Sequence, residues 1–298
     1  MTFLESLSSK HVLLSDGAMG TELQIRGMPT GVCPEEFNIS HPDIIQAIYK
    51  DYYDAGADIV ETNSFGCNRS RLTLHSFEGR VREFAKRAAT LAREVCPPGK
   101  FVGGSMGPTG DIIEPLGERT IREAYDIFAE QAEALAEGGV DVFYIETMMA
   151  AEESEIAIKA AKAKTNLPVI ATMTFELGKS GLRTMWGVDV KGAVQRLTDA
   201  GADVVGANCG RGFEEMIAII REMRPLTSRP VIAQANAGIP DWVDGLSVYR
   251  ETPEIVGPKA QVLLDLGVNI LGGCCGTGPA HIRKMRELVD ERNSMKVA

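Results

Sequence analysis

The sequence predicts an α/β fold, a single (β/α)8 TIM barrel over residues 1–298, and two observations favour it. Short apolar runs alternate with longer amphipathic segments eight times along the chain, as expected when every buried strand is followed by a helix. The length corresponds to roughly 37 residues for each strand–helix unit, which suits such a barrel. A doubly wound open sheet is the alternative, but it does not need eight units, and no Gly-x-Gly-x-x-Gly follows the first run.

The eight predicted strands are short and apolar. In chain order they are 12–14, 58–60, 101–105, 142–145, 168–173, 203–207, 230–234 and 268–271. Every second strand is preceded by one shared pattern, a glycine, any residue, then Asp or Asn, beginning at Gly56, Gly139, Gly201 and Gly267. This repeat predicts a helix that ends at glycine and turns directly into a buried parallel strand.

The segments between the strands predict helices. The clearest are 42–55, 80–95, 120–137, 253–266 and 279–291, where apolar residues recur at three- and four-residue spacing. Pro42 and Pro279 fit the first turn of a helix, where a missing N–H costs nothing. Less regular inserts are expected at about 24–40, 107–118, 177–187 and 239–251.

Composition and charge exclude several classes of protein. The formal net charge is −10 and no Lys/Arg-rich run occurs, which argues against nucleic-acid binding. No apolar stretch approaches the roughly 20 residues that span a bilayer, and the first residues lack the layout of a signal peptide. We therefore expect a cytoplasmic protein whose six cysteines are reduced thiols, available for metal binding or catalysis.

Two adjacent cysteines, Cys274 and Cys275, lie between glycines directly after the eighth strand. Neighbouring side chains of a strand point to opposite faces, so both sulfurs converge only where the backbone leaves strand geometry, which glycine permits. We hypothesise that both bind one zinc ion together with Cys209, which follows the sixth strand. The alternatives are a buried pair of small residues or a redox pair. The other three cysteines are less suitably placed.

A zinc–thiolate site with an open position has a definite chemical use. It can bind a substrate thiol and hold it as thiolate near neutral pH, where a free thiol with a pKa of about 8.5 is mostly protonated. The reaction class that follows is attack by sulfur on an electrophilic carbon. No lysine lies at the end of a predicted strand, which argues against a Schiff-base lyase or aldolase.

Three acidic residues, Asp16, Glu61 and Glu146, each end a predicted strand, and barrel enzymes place their sites at these ends. Taken alone, each is more readily explained as a helix cap or a solvated carboxylate, and Glu61 most of all. Asp16 and Glu146 together could hold an ammonium group, while backbone N–H groups of the turn 17–21 could bind a carboxylate. A small amino acid that carries a thiol would satisfy all three features.

Four stretches resemble the homocysteine S-methyltransferase family, and the resemblance covers essentially the whole chain. They are Asp16-Gly17-Ala18-Met19-Gly20-Thr21, Gly56-Ala57-Asp58-Ile59-Val60-Glu61-Thr62-Asn63-Ser64-Phe65-Gly66, Gly206-Ala207-Asn208-Cys209-Gly210 and Gly272-Gly273-Cys274-Cys275-Gly276-Thr277. The second stretch is most similar to the homocysteine-binding domain of cobalamin-dependent methionine synthase. The resemblance implies a (β/α)8 barrel, zinc on the three cysteines, homocysteine as substrate and methionine as product.

The resemblance also implies roles for individual residues. Asn236 matches an asparagine that fills the open zinc position when substrate is absent. Asp16 and Glu146 match residues that engage the homocysteine amino group. Gly17, Thr62 and Asn63, which lie in the matched stretches at the first and second strand ends, complete the expected substrate contacts.

The methyl donor is less constrained. The Asp-x-His-x-x-Gly motif of cobalamin-binding domains does not occur, because none of His11, His41, His75 or His281 has the required neighbours. We therefore expect a stand-alone barrel that receives its methyl group from a separate methyl-corrinoid protein, with the insert 107–118 and the rim loops facing that partner. The alternatives are a small onium donor such as S-methylmethionine or betaine, a different acceptor thiol, or a non-catalytic redox switch.

Overall fold

The computed structural model describes residues 1–9, 12–243 and 246–295. Its strands, in chain order, are β1 (Leu13–Leu14), β2 (Ile59–Glu61), β3 (Phe101–Met106), β4 (Val142–Met148), β5 (Val169–Met173), β6 (Glu176–Gly178), β7 (Gly181–Arg183), β8 (Val204–Cys209), β9 (Val231–Ala235), β10 (Asp241–Val243), β11 (Leu246–Val248) and β12 (Ile270–Gly273). Each predicted strand corresponds to an observed one, with ends that differ by up to three residues.

Eight of these strands form one parallel sheet in the order β1-β12-β9-β8-β5-β4-β3-β2. A parallel bridge between Ser15 and Ile59 joins the two outer strands and completes the ring. The remaining strands form two antiparallel hairpins: β6–β7 begins one residue before the insert 177–187, and β10–β11 lies within the insert 239–251. The predicted (β/α)8 barrel is confirmed.

At least one helix follows each barrel strand, and the first helix precedes the first strand. The helices are α1 (Phe3–Ser8), α2 (Met19–Ile25), α3 (Phe37–Ser40), α4 (Pro42–Asp54), α5 (Arg69–Thr73), α6 (Val81–Val95), α7 (Ile121–Gly138), α8 (Ala151–Lys164), α9 (Val190–Ala200), α10 (Phe213–Met223), α11 (Pro253–Asp265) and α12 (Pro279–Met295). The predicted helices are confirmed, and α12 extends beyond its predicted end. None of the helices in the described ranges is long and apolar enough to cross a bilayer.

The repeated glycine pattern has the predicted structure. The φ angles are 103° at Gly56, 96° at Gly139, 108° at Gly201 and 86° at Gly267. This left-handed conformation costs glycine little and strains other residues. In every case the next barrel strand begins three residues later. The repeat is therefore a helix stop that delivers the chain directly into an even-numbered unit of the barrel.

The Asp or Asn two residues after each of these glycines forms hydrogen bonds to the preceding strand of the barrel. Its backbone N–H donates to a carbonyl of the preceding strand, and its side-chain oxygen accepts the N–H of that same residue. The side-chain bonds join Asp58 to Leu14 (2.9 Å), Asp141 to Val102 (2.7 Å), Asp203 to Val169 (2.8 Å) and Asn269 to Val231 (3.0 Å). These bonds lie near the amino ends of the strands, the face of such barrels that contributes stability.

Apolar side chains fill the amino-terminal half of the barrel interior. Helix α1 closes that end, where Phe3 and Leu7 pack into the cluster and the Phe3 ring meets the edge of Phe101 at a centroid distance of 5.7 Å. The inward-facing members from the strands are Leu13, Ile59, Phe101, Val142, Tyr144, Ile170, Val204, Ile232 and Ile270. Two residues further along, on the same face, lie polar residues such as Glu61, Thr172 and Gln234. The barrel interior is thus apolar in its amino-terminal half and polar at the carboxyl ends of the strands.

Candidate active site

Three cysteine sulfurs meet at the carboxyl end of the barrel. Cys209 is the last residue of β8, and Cys274 and Cys275 follow directly after β12. These two strands flank β9 in the sheet, and their sulfur atoms all lie within 4.8 Å of one another. Cys209 has a φ of 67°, a conformation rarely adopted by residues other than glycine and often found at functional sites. The predicted convergence of these thiols is confirmed.

A tight turn directs the paired cysteines toward Cys209. The Cys274 N–H continues the strand ladder by donating to Ala235 O at 2.9 Å, and the Cys274 carbonyl accepts from Thr277 N at 3.1 Å and Thr277 Oγ1 at 2.6 Å. Gly276 has a φ of 80°, and a Cβ there would lie 2.1 Å from the Tyr249 ring. Glycine is therefore required at this position both for the turn and for the packing of Tyr249.

The three thiols share charge unequally. Hydrogen bonds from Cys274 and Cys275 lower the pKa of Cys209 to about 3. Conversely, hydrogen bonding to Cys209 raises the pKa of Cys275 to about 11, and that of Cys274 well above its ordinary value. These opposite shifts favour the anionic form at Cys209 and the protonated form at Cys274 and Cys275. A soft divalent cation would displace both protons, because coordinated thiols are deprotonated.

The donor set fits zinc. A tetrahedral ion with Zn–S bonds of about 2.3 Å separates its sulfur ligands by about 3.8 Å, compatible with the observed cluster. Asn236 lies beside it, with Nδ2 3.6 Å from Cys209 Sγ and 2.6 Å from Gly210 O. Its Oδ1 is buried and accepts no hydrogen bond from the described part of the chain. A buried oxygen without a partner is costly, and one on an amide beside Cys209 could serve as a metal ligand.

A cavity of about 270 Å³ lies next to the sulfur cluster. Eight of the nine site residues predicted from the sequence line it, and Asn236 does not: the eight are Asp16, Gly17, Thr62, Asn63, Glu146, Cys209, Cys274 and Cys275. The wall also contains Glu61, Ser105, Thr147 and Gln234. Among the described residues that form the wall, none is Lys, Arg or His, so no Schiff-base lysine is present there. All the charged groups that line this cavity are acidic.

The carboxyl groups of Asp16, Glu61 and Glu146 face one another in this space. Burial raises the pKa of all three, and the charge of Glu146 raises those of Asp16 and Glu61 further. Glu146 accepts hydrogen bonds from Ser105 Oγ at 2.5 Å and Asn208 Nδ2 at 3.2 Å. Acidic groups that are crowded and have no cationic partner in the wall make this cavity suited to a positively charged ligand.

Thr62 and Asn63 line the wall, but Thr62 Oγ1 and Asn63 Nδ2 are hydrogen-bonded within the protein. Thr62 Oγ1 accepts from Ser105 N at 3.1 Å and lies 2.6 Å from Ser64 Oγ. Asn63 Nδ2 donates to Pro34 O at 2.7 Å and to an oxygen of Asn38 at 3.1 Å. These bonds hold the loop after β2 against its neighbours. The expected contact of either residue with substrate remains a prediction.

Gly17 brings the loop after β1 directly against the turn that carries the cysteines. A Cβ at Gly17 would lie 2.2 Å from Thr277 O, and Ala18 N donates to that same oxygen at 2.9 Å. Only glycine allows this approach. The first loop and the sulfur-bearing turn are therefore fixed relative to each other at the edge of the cavity.

Sequence reasoning did not single out Asn208, whose side chain joins two parts of the site. Its Oδ1 accepts from Thr147 N at 2.8 Å and Thr172 Oγ1 at 2.7 Å, and its Nδ2 donates to Glu146. It lies next to Cys209 in the chain and thus connects the acidic wall to the sulfur cluster. The signal that could have identified Asn208 is an amide side chain inside an otherwise apolar predicted strand, where it is buried.

A sequence model of the family described as homocysteine S-methyltransferase matches residues 13–289. The chain belongs to this family. The resemblance inferred from the four stretches is therefore confirmed. In this chain, the three converging thiols, the cavity and its acidic wall therefore form the candidate active site of a homocysteine S-methyltransferase.

Two methionine synthases are similar to this homocysteine S-methyltransferase family member over almost its full length. The enzyme of Mycobacterium tuberculosis is 33% identical over 308 residues, and that of Mycobacterium leprae is 32% identical over 310 residues. Each alignment covers 97% of this chain and 25% of the relative. The chain thus spans about a quarter of the length of the curated relatives it matches.

Solved structures show the same fold at lower sequence identity. The metallated form of the homocysteine methyltransferase MmuM from Escherichia coli superposes with a TM-score of 0.79 at 23% identity, covering 95% of this chain and 99% of that one. A methyltransferase from Methanosarcina mazei superposes with a TM-score of 0.60 at 13% identity, covering 98% and 97%. Both have the barrel architecture found in this homocysteine S-methyltransferase family member.

Proposed function

We propose that this chain is a zinc-dependent S-methyltransferase that converts homocysteine to methionine. The observation that carries the proposal is the position of three thiols, within 4.8 Å of one another, in the wall of a cavity whose charged lining residues are all acidic. A metal-binding sulfur cluster beside an acidic pocket suits a ligand with both a thiol and an ammonium group. Homocysteine carries both, and family membership supports this choice.

The chain's own residues divide the work. Cys209, Cys274 and Cys275 would hold zinc, and Asn236 would offer its unpaired Oδ1 as the fourth ligand in the substrate-free protein. When bound, the metal supplies a position at which a substrate thiol is held as a nucleophilic thiolate. The sulfur cluster therefore fixes where the reacting atom lies.

Recognition of the amino acid portion falls to the acidic wall and the first loop. Asp16 and Glu146 would accept hydrogen bonds from the ammonium group, which is the counter-charge that the crowded carboxyls lack. Backbone N–H groups of the turn that begins at Gly17 would face the carboxylate. Binding at both ends would leave the thiol directed at the cysteines and would exclude thiols of other shapes.

For the methyl donor we infer a separate methyl-corrinoid protein. The similarity to methionine synthases over 97% of this chain supports that inference. So do exposed apolar side chains on the inserts at the carboxyl face, among them Leu116 (75% exposed), Trp186 (46%) and Trp242 (74%). Exposed tryptophans are frequent anchors of protein–protein contacts. The inserts 107–118, 177–187 and 239–251 would form the surface on which the donor docks, although residues 244 and 245 lie outside the described ranges.

A donor comparison tests the proposal. Zinc-loaded protein and homocysteine are incubated in parallel with methylcobalamin, a methyl-corrinoid protein, S-methylmethionine and betaine, and methionine is measured by mass spectrometry. Methionine formed from the corrinoid donors is the expected result. Formation from an onium compound alone would replace the inferred donor, whereas no methionine from any donor and no binding of homocysteine would refute the function.

A further inference from the structure

Glu61 reaches across the cavity between two other side chains of the barrel interior. Its Oε1 accepts a hydrogen bond from Gln234 Nε2 at 2.6 Å, which joins the end of β2 to β9. The carboxyl group of Glu146, on β4, lies in the same cavity wall and close enough that each of these two carboxyl groups alters the pKa of the other. One side chain therefore joins β2 to β9 and faces β4 within the cavity.

A hydrogen bond between two carboxyl groups requires one proton, and the surroundings decide which group carries it. Glu146 accepts from Ser105 and Asn208, and such bonds stabilise an anion. Among the described residues, Glu61 accepts one bond, from Gln234. Burial raises the pKa of Glu61, and the charges of Glu146 and Asp16 raise it further. These contacts favour the proton on Glu61 and the negative charge on Glu146.

We propose that Glu61 is a positioning residue which, as a neutral acid held by Gln234, donates a hydrogen bond to Glu146 and fixes that carboxylate for the ammonium group of an aminothiol. This inference deepens the proposed function and rests on it. Glu61 sets selectivity for the amine without adding a negative charge of its own to those of Asp16 and Glu146. Loss of its hydrogen bond would leave Glu146 free to turn away from the ligand.

Direct binding measurements test this role without a methyl donor. Isothermal titration calorimetry on zinc-loaded protein compares L-homocysteine with 4-mercaptobutanoate, which keeps the thiol and carboxylate but lacks the amine. Glu61→Leu should weaken homocysteine binding by about 10- to 100-fold, the usual effect of losing a hydrogen bond to a charged group. Binding of 4-mercaptobutanoate should change by less than about threefold, because no ammonium group depends on Glu146.

Glu61→Gln is the discriminating variant. Glutamine keeps a donor for Glu146 and an acceptor for Gln234, so it should restore most of the affinity lost in Glu61→Leu. Zinc content, measured by elemental analysis, should stay at that of the unsubstituted protein in both variants. Equal losses in the Gln and Leu variants would show that an ionised Glu61 binds the ligand directly and would overturn the proposal.

A matched control separates positioning from general stability. Glu153, on α8, is also a buried carboxylate, and it accepts bonds from Thr109 N at 2.8 Å and Thr109 Oγ1 at 2.6 Å outside the cavity wall. Glu153→Leu should lower the melting temperature and leave the ratio of the two dissociation constants unchanged. If Glu61→Leu weakened both ligands equally, its role would be structural. If the unsubstituted protein bound neither ligand, the proposed function itself would fail.

Discussion

Asn236 Nδ2 lies 3.6 Å from Cys209 Sγ while donating to Gly210 O at 2.6 Å. This arrangement fixes the amide beside the sulfur cluster and leaves Oδ1 buried without a partner among the described residues. Cys209, which precedes Gly210 in the chain, has a φ of 67°. Local backbone strain and an unpaired oxygen thus occur together at the point where a metal would bind, which is typical of functional sites.

Asn236→Ala should weaken zinc binding in the absence of homocysteine by about 10- to 100-fold, the range known for groups that support a metal site. The loss should largely disappear when homocysteine is present, because the substrate thiol then takes the same position. Competition with a chromogenic chelator measures both affinities. Gln195→Ala removes an exposed amide on α9 that bonds Asp199 at 2.8 Å, and it serves as the control. Equal weakening with and without homocysteine would contradict the assignment.

Cys274→Ala should abolish stoichiometric zinc binding and methionine formation together, because two sulfurs cannot replace the three-thiolate set. Elemental analysis of the purified variant and the donor assay check the two effects. Cys96→Ala, at the end of α6 and outside the cluster, should retain both. A Cys274→Ala protein that kept full activity after metal removal would refute a zinc-dependent reaction.

The acidic wall predicts a pH-dependent stability. The folded-state pKa of Glu61 is raised, so the stability associated with its protonated form is present below the unfolded value of about 4.3 and is lost as pH rises through the folded pKa. Glu61→Gln cannot ionise and avoids this loss. Urea unfolding of the metal-free, reduced proteins should therefore show the variant gaining stability relative to the unsubstituted protein between pH 5 and pH 8. A difference independent of pH would show that Glu61 titrates normally.

Gly201→Ala should destabilise the barrel by about 1–2 kcal/mol through backbone strain alone. Gly201 has a φ of 108°, and no atom lies within 4 Å of the Cβ that alanine would add. Gly79→Ala is the matched control, because its Cβ also meets no atom within 4 Å and its φ is not in the left-handed region. Urea unfolding measures both, and equal stability of the two variants would refute the strain. Zinc content should be unaffected in either.

The sequence predicted correctly those features that depend only on neighbouring residues in the chain. The glycine repeat predicted where Gly56, Gly139, Gly201 and Gly267 end helices, because a left-handed φ is a local property of the chain. Thiols at Cys209 and Cys274 follow recognisable strands, and all parallel strands of a barrel end on the same face. Their convergence could therefore be inferred before any coordinate was known.

The hairpins β6–β7 and β10–β11 were not anticipated. Each strand of these hairpins is three residues long, too short for an alternating pattern to stand out from an irregular loop. Trp242 is exposed on β10, and Trp186 is exposed just after β7. The sequence predicted the approximate position of each insert but not the strands inside it.

The sequence by itself determined the barrel, the three candidate metal-binding thiols and the acidic strand ends at Asp16 and Glu146, because each is encoded by a short local pattern. Tertiary structure alone decided that Glu61 lies between Gln234 and Glu146, residues separated from it by 173 and 85 positions. Which side chains meet across the barrel depends on strand register and on the inward alternation of every strand, and neither is written in any single segment of the chain.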